Sequence, residues 1–377
     1  MSGLGRIALV LLLCIAIAPS ASAAPKQLVI SQPADAVTLD PHMHSAQETL
    51  SILLNVFESL VEFTDKYEPV PALAVSWKQI EPTVWRFSLR KGVTFHNGEP
   101  FTAKAVKFSV DRLLDPNQKA PMGTRLQALK EARVVDDYTV DIATKEPYAP
   151  VLYILSLYLA VVPPEAVKQM GDTKFGLAGI GTGPYRVAKW VKDQELVLEA
   201  NAKYWKGAPR VQRVVWKPIP EDSARVAALQ TGEVDIITAV PPDRWKDIQQ
   251  GKGTRISAKT GTMLYIGMDA LNPPFNDVRV RRAMNHAVDV DTIIKKILLN
   301  TADRMNGPFF KTTLGYDPGV PLFKYDPALA KKLLAEAGHP NGFETVISTY
   351  PSSEGTTNVM EVAETGAYQR QQVGIRS

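Results

Sequence analysis

The sequence carries five histidines and one cysteine, and their spacing decides which chemistries are open. His42 and His44 stand two apart. Alternate residues of an extended segment share a side, so the pair could form half of a metal site. Ligand sets need three or four groups, and no third group completes a metal-binding spacing around them. The pair is kept as a candidate, and no metal is predicted. His96 falls in a hairpin, His286 on a helix and His339 just after a helix end, and none belongs to a His-Glu-x-x-His pattern. Gly179-Ile-Gly181-Thr-Gly183 has the glycine spacing of a dinucleotide loop, but Pro184 stands where a Gly or Ala should open a helix. There is no Gly-x-Ser-x-Gly and no phosphate-binding P-loop. No catalytic residue and no cofactor are therefore assigned. A secreted hydrolase would need a nucleophile with its base, and neither is found.

The composition is that of an ordinary globular protein. Of 377 residues, 45% are apolar and 22% charged, with a formal net charge of +4. Mean hydropathy is -0.09. These values exclude a disordered chain, a coiled coil and a polytopic membrane protein, and the weak positive charge makes no case for nucleic acid. The only long apolar run is Ile7–Ala18, preceded by Arg6 and followed by Ala21-Ser22-Ala23. That is the three-part pattern of a cleavable signal peptide over residues 1–23. At about 12 residues the run is short of the roughly 20 needed to span a membrane, and Leu13 before Cys14 does not fit a lipoprotein site. Cleavage removes Cys14, so the exported chain would hold its fold by core packing without disulfides.

Periodicity then supplies the elements. Lys26–Ser31 reads as a first strand. Leu50, Leu53, Leu54, Phe57 and Leu60 share one face of a helix over about Gln47–Ser59. Trp85, Phe87 and Leu89 alternate along a strand over 83–90, and Asn97-Gly98 forms a turn. Thr102 caps a helix over Ala103–Leu114. Residues 151–162 read as one buried helix between Pro150 and Pro163. Gly176, Gly179, Gly181 and Gly183 read as a loop. Strands follow at Ala132–Val135, Thr139–Ala143, Tyr185–Val191, Glu195–Ala200, Arg213–Ile219, Val234–Ile237 and Met263–Met268. Helices fit Asp222–Gln230, Asp277–Val288, Asp289–Leu299 and Pro327–Ala337, the last with Asp326 as cap and Pro327 at its first position.

Seven blocks, in order, resemble the family 5 extracellular solute-binding proteins of ABC importers, the dipeptide-, oligopeptide- and nickel-binding type. The longest is Trp85–Arg112, which contains Lys91-Gly-Val-Thr-Phe-His-Asn-Gly98. Pro69–Trp77 precedes it. Gly181-Thr-Gly-Pro-Tyr185, Asn201–Pro209, Gly232-Glu-Val-Asp235, Pro274–Met284 and Leu333–Gly338 follow. The resemblance covers about residues 26 to 376.

It implies an α/β fold of the type II periplasmic-binding-protein kind, two lobes closing on a ligand, with an extra inserted domain. The implied division is 24–58 and 177–262 for the first lobe, 59–176 for the insert and 263–377 for the second lobe. It also implies a periplasmic, monomeric, non-enzymatic subunit that captures a small solute, by default a peptide, and delivers it to an ABC permease. By position in the resemblance, the ligand-facing residues are His44, Ser45, Ala46 and Gln47; Met122, Gly123, Thr124 and Arg125; Thr238, Ala239 and Val240; and Tyr265 with Met268. Arg125 is assigned to an anionic ligand group, because a guanidinium grips a carboxylate bidentately. The signature block itself is read as structure. A nickel complex, haem, an opine, a sugar and a remnant without binding remain open as alternatives.

The chain's end carries a further expectation. A strand over 343–349 and a helix over about 358–373, with Gly374 as its cap, should be followed by a returning strand. Only Ile375-Arg-Ser377 remains, so the second lobe is expected to be incomplete, with an open sheet edge. Gly366 inside that helix is expected to weaken it by about 1 kcal/mol.

Overall fold

The computed structural model describes residues 27–250, 262–311, 316–349 and 358–377. The expected signal peptide over 1–23 lies outside the described residues, as does the 251–261 end of the first lobe's expected 177–262 segment.

The described chain opens with β1 (Gln27–Gln32) and, after a loop, α1 (Gln47–Leu53). The helix stops well before Ser59. Gly183 N–H donates to the Val56 carbonyl at 2.9 Å, and Tyr185 N–H to that of Asn55 at 3.0 Å. From Asn55 onward the chain's carbonyls bond to the 183–185 segment, which directs it away from the helix axis.

Next come β2 (Val61–Phe63), β3 (Pro69–Pro71), β4 (Ala74–Glu81), β5 (Val84–Leu89), α2 (Ala103–Leu114), a 3-10 turn (Pro121–Leu126), β6 (Leu129–Asp136) and β7 (Thr139–Thr144). Strands β4-β5-β7-β6 form an antiparallel sheet in that order. Phe87, Leu89, Val93 and Phe95 all point into its core, together with Val106, Val110 and Leu113 of α2. The alternation read from sequence thus faces the buried stripe of α2. Gly98 makes its turn at φ +89°. Thr102 is the N-cap residue of α2, but its hydroxyl makes no capping bond.

Two helices follow, α3 (Val151–Tyr158) and α4 (Pro164–Ala178). The single buried helix expected over 151–162 is shorter, and only one face is covered. Tyr153 and Leu157 are exposed, while Leu159, Val161 and Val162 continue as buried non-helical chain. The glycine-punctuated loop is corrected as well: Gly176 lies inside α4. The helix changes direction at Gly171, at φ 70° and ψ 162°. A Cβ on Gly176 would sit 2.7 Å from the Thr38 hydroxyl. Glycine there marks close packing, not a loop.

The chain then returns to β1. Strands β8 (Tyr185–Val191), β9 (Glu195–Ala200) and β10 (Arg213–Pro218), helix α5 (Asp222–Thr231), β11 (Ile236–Ile237) and α6 (Trp245–Gln250) complete this part. The sheet order is β11-β1-β10-β9-β8, with β1 parallel to both neighbours. Gly232 ends α5 in the left-handed region, at φ 79°. The C-terminal ends of β1, β10 and β11 meet at one edge, where open α/β sheets present their loops to ligands.

Residues 262–377 contain α7 (Val278–His286), α8 (Val290–Lys296), α9 (Pro327–Glu336), β12 (Phe343–Glu344), α10 (Val359–Gln371) and β13 (Ile375–Arg376). Their core is Ala283, Met284, Ala287, Ala330, Leu334, Val373 and Ile375. Asp326 caps α9 through the Leu329 N–H at 2.9 Å, as its sequence predicts. The strand expected over Met263–Met268 is absent, because no neighbouring strand among the described residues pairs with it. The strand over 343–349 shrinks to Phe343–Glu344, paired in parallel with β13. Gly366 also reads differently in place. It is buried, and a Cβ there would lie 3.2 Å from the guanidinium of Arg370, itself 2% exposed. The glycine makes room for that side chain.

Candidate functional site

Two of the expected ligand-facing segments meet at the end of β1, and a third touches the loop that leads into the first of them. The first is the loop before α1. It is fixed by Arg112, which donates to both oxygens of Asp40 (3.0 and 2.5 Å) and to Asp172 (2.7 Å). Arg112 also donates to His42 Nδ1 at 3.0 Å, and His42 Nε2 lies 2.8 Å from the Ala160 carbonyl. This network assigns a neutral His42 with its proton on Nε2. Burial lowers its pKa to about 4. Both ring nitrogens are occupied. His44 Nδ1 accepts the Ala46 N–H at 3.0 Å. The His42/His44 pair is thus engaged within the protein, and among the described residues no group of three metal-ligating side chains forms.

The second segment is the 3-10 turn. Met122 N–H reaches the His42 carbonyl at 3.4 Å. Gly123 is pressed on the end of α2, where a Cβ would meet the Leu113 carbonyl at 2.0 Å. The Thr124 hydroxyl turns back to the Pro121 carbonyl at 2.7 Å. Arg125 is exposed and has no ion-pair partner among the described residues.

The third is Thr238-Ala-Val240. Thr238 N–H donates to the Ser31 carbonyl at 3.0 Å. Ala239 sits at φ 53°. Arg225, 1% exposed, clamps the carbonyls of Ile219, Pro220 and Ala239 at 2.7, 2.8 and 3.0 Å. Val240 accepts from the Trp245 indole at 3.2 Å. Gln32, next to Ser31, donates to the Glu48 carbonyl at 3.2 Å. The strand end therefore joins the start of α1, with Gln47, to the 238–240 loop. Gln32 and Arg225 were not singled out from the sequence. Their signal is a long polar residue at a strand end or on a helix, which is common on any surface.

Tyr265 and Met268 do not join this group through any described contact. Met268 packs against the core that holds Ala283 and Leu334, and Tyr265 is 76% exposed.

Comparison with known proteins identifies the family and the fold. The family described as bacterial extracellular solute-binding proteins, family 5 (middle), matches residues 68–377. The chain belongs to this family. The family 5 protein is 30% identical over 357 residues to the glutathione-binding protein GsiB of Pectobacterium atrosepticum, covering 94% of this chain and 68% of that one. The Escherichia coli GsiB is 29% identical, with 96% and 70% covered. Among solved structures, DppA from Helicobacter pylori with the peptide STSA superposes with a TM-score of 0.81 at 30% identity, covering 93% of this chain and 72% of that one. AgaA with agropinic acid, from A. tumefaciens R10, superposes with a TM-score of 0.82 at 27% identity, covering 93% of this chain and 71% of that one. The fold is the type II periplasmic-binding-protein fold. No helix among the described residues is long and apolar enough to cross a membrane.

Three of the seven family blocks meet at or beside a residue outside all of them. Glu58 is 7% exposed, and its carboxylate accepts from Thr182 (2.8 Å), Tyr204 (2.8 Å) and the Trp205 indole (3.0 and 3.1 Å). Burial pushes its pKa up. Arg90 stacks over Trp205 at 3.8 Å. Gly181 and Gly183 allow the chain to pass Val56, since a Cβ on Gly181 would lie 2.0 Å from its carbonyl oxygen. His96 of the signature accepts the Gly181 N–H at 3.2 Å and faces the Gly183 carbonyl at 3.0 Å. The signature thus serves to join the 59–176 segment to the β1 sheet.

Proposed function

We propose that this protein is the periplasmic solute-capturing subunit of an ABC importer and that its solute is a peptide with a free carboxylate. The observation that carries the reading is the exposed Arg125 guanidinium, with no ion-pair partner among the described residues, on a turn that touches the loop before α1, in a chain similar to peptide-binding relatives. Arg125 holds the carboxylate, while the 44–47 and 238–240 segments supply backbone groups. The lobe division belongs to the same proposal. It is supported by the β1 sheet, which draws one strand from before residue 59 and four from after residue 176. The signal peptide over 1–23, a monomeric state, docking on a permease and the lack of any turnover complete it.

The test uses the chain from Ala24 onward. Calorimetry with STSA, glutathione and a dipeptide pool is expected to give micromolar binding, about −8 kcal/mol, with a change in tryptophan fluorescence and a smaller radius of gyration. N-terminal sequencing of the exported protein should begin at Ala24. Absence of heat with every peptide overturns the peptide reading. Agropinic acid is the second reading, favoured by the AgaA superposition, and binding of it alone would move the assignment to opines.

A further inference from the structure

Among the described residues three arginines are buried, and two of them are paired. Arg112 donates to Asp40, Asp172 and His42, and Arg225 to Asp222 and three carbonyls. The third is Arg370, 2% exposed on the buried face of α10. It makes no hydrogen bond or ion pair among the described residues, and its Nε and Nη2 are enclosed without a partner. Burial lowers its pKa, and no carboxylate acts to raise it. A guanidinium keeps its proton inside proteins, so the fold encloses a positive charge. Such a charge is costly to bury unless it is paired.

The two orphaned atoms share one edge of the guanidinium. Their N–H groups point the same way and match two oxygens of one oxyanion. The same edge is used elsewhere in this protein. Arg86 donates from Nε and Nη2 to the two oxygens of Asp141 at 2.7 and 2.8 Å. At Arg370 no such carboxylate comes from its own helix. Glu361 and Glu364 of α10 are exposed, and at helical spacing they lie on the opposite face. Two features keep the guanidinium inside. Gly366, one turn back, leaves room for it, since a Cβ there would stand 3.2 and 3.4 Å from Nη1 and Nη2. On either side, α10 is held down. Gln369 Oε1 accepts the Asp289 N–H at 2.8 Å, and Val373 lies in the core.

We propose that Arg370 is an anion site, which binds one small oxyanion, a carboxylate or a sulfate-like ion, through its Nε–Nη2 edge. The anion is a structural ligand that holds α10 on the core of residues 262–377. The site does not depend on the peptide reading above. A ligand that binds only the folded chain stabilises it by mass action.

The experiment uses the chain from Ala24, exchanged into chloride and then titrated with acetate or sulfate at constant ionic strength. Thermal unfolding of the wild type is compared with that of Arg370→Leu, which removes the charge. The wild-type midpoint is expected to rise saturably, by about 3 °C or more beyond any rise in the variant. Sulfate stabilises proteins generally through its exclusion from their surface, so the difference between the two chains is what counts. An equal rise in both, or none in either, overturns the site. If Arg370→Leu does not fold, the isotope-labelled wild type decides. The Arg370 Nε–H resonance, assigned through its own side chain, should move with acetate and sulfate and stay in place when chloride alone is raised. A resonance unmoved by both oxyanions, or moved equally by chloride, overturns the site.

Discussion

Arg112 grips the Asp40 carboxylate with two N–H···O bonds, of 3.0 and 2.5 Å, at a site where the two side chains are 3% and 1% exposed. The partners lie 72 residues apart, so the pair staples the loop before α1 to α2. Removing one partner leaves the other charge buried and unpaired. Arg112→Met is expected to destabilise by about 3–5 kcal/mol. Asp172 is half exposed, and Asp172→Asn should cost less than about 1 kcal/mol. Urea midpoints of the two variants check the contrast.

His42 predicts a pH dependence. Its folded pKa is about 4, against about 6.5 in an unfolded chain. Between those values the unfolded chain binds the extra proton, so stability rises with pH across that window, by about 3 kcal/mol in total. Glu58 acts with the opposite sign. Its pKa is raised, so the folded state keeps a proton that the unfolded chain has lost. Its contribution therefore falls as pH rises above the ordinary carboxylate value. Glu58→Gln should steepen the rise seen between pH 4 and 6.5. Chemical denaturation across pH measures both slopes, and the His42 ring proton shift should stay at its neutral value down to about pH 5.

Gly181→Ala places a methyl 2.0 Å from the Val56 carbonyl oxygen, a backbone atom that cannot swing away. The expected result is loss of more than about 3 kcal/mol or failure to accumulate folded protein. Gly207→Ala is the contrast. Its surroundings are open, but φ is 95°, so the cost is about 1–2 kcal/mol of backbone strain. Thermal unfolding of the pair separates steric clash from strain.

Arg125→Ala removes an exposed side chain with no partner among the described residues. Its melting temperature should match the parent within about 2 °C. Peptide affinity should fall ten- to a hundredfold, as expected for a lost charge-assisted bidentate bond. Equal loss for a C-terminally amidated peptide would contradict the assignment, because that ligand has no carboxylate to lose.

Local patterns were legible wherever a single element supplies its own reason. The alternation of Phe87 and Leu89 and the Asp326-Pro327 start of α9 are short-range facts, and each sits where its sequence places it. The family blocks, read together, gave the fold. Elements that depend on distant partners were misread. Met263–Met268 has the composition of a strand, but a strand exists only with a neighbour. The turn from Leu54 onward is set by Gly183 and Tyr185, well over a hundred residues away. Gly176 looked like a loop residue because its close neighbour, Thr38, is not visible along the chain.

The sequence by itself determined the solute-binding fold, the secondary structure that local spacing can enforce, and the absence of a recognisable catalytic or metal motif. Only the tertiary structure decided which polar residues are buried. Asp40, Glu58, Arg112 and Arg225 have the side chains of surface residues, and burying such a group is tolerable only when partners satisfy it. Those partners come from separate segments. The same folding leaves Arg125 exposed and without an ion-pair partner among the described residues, since exposure and pairing belong to the folded chain.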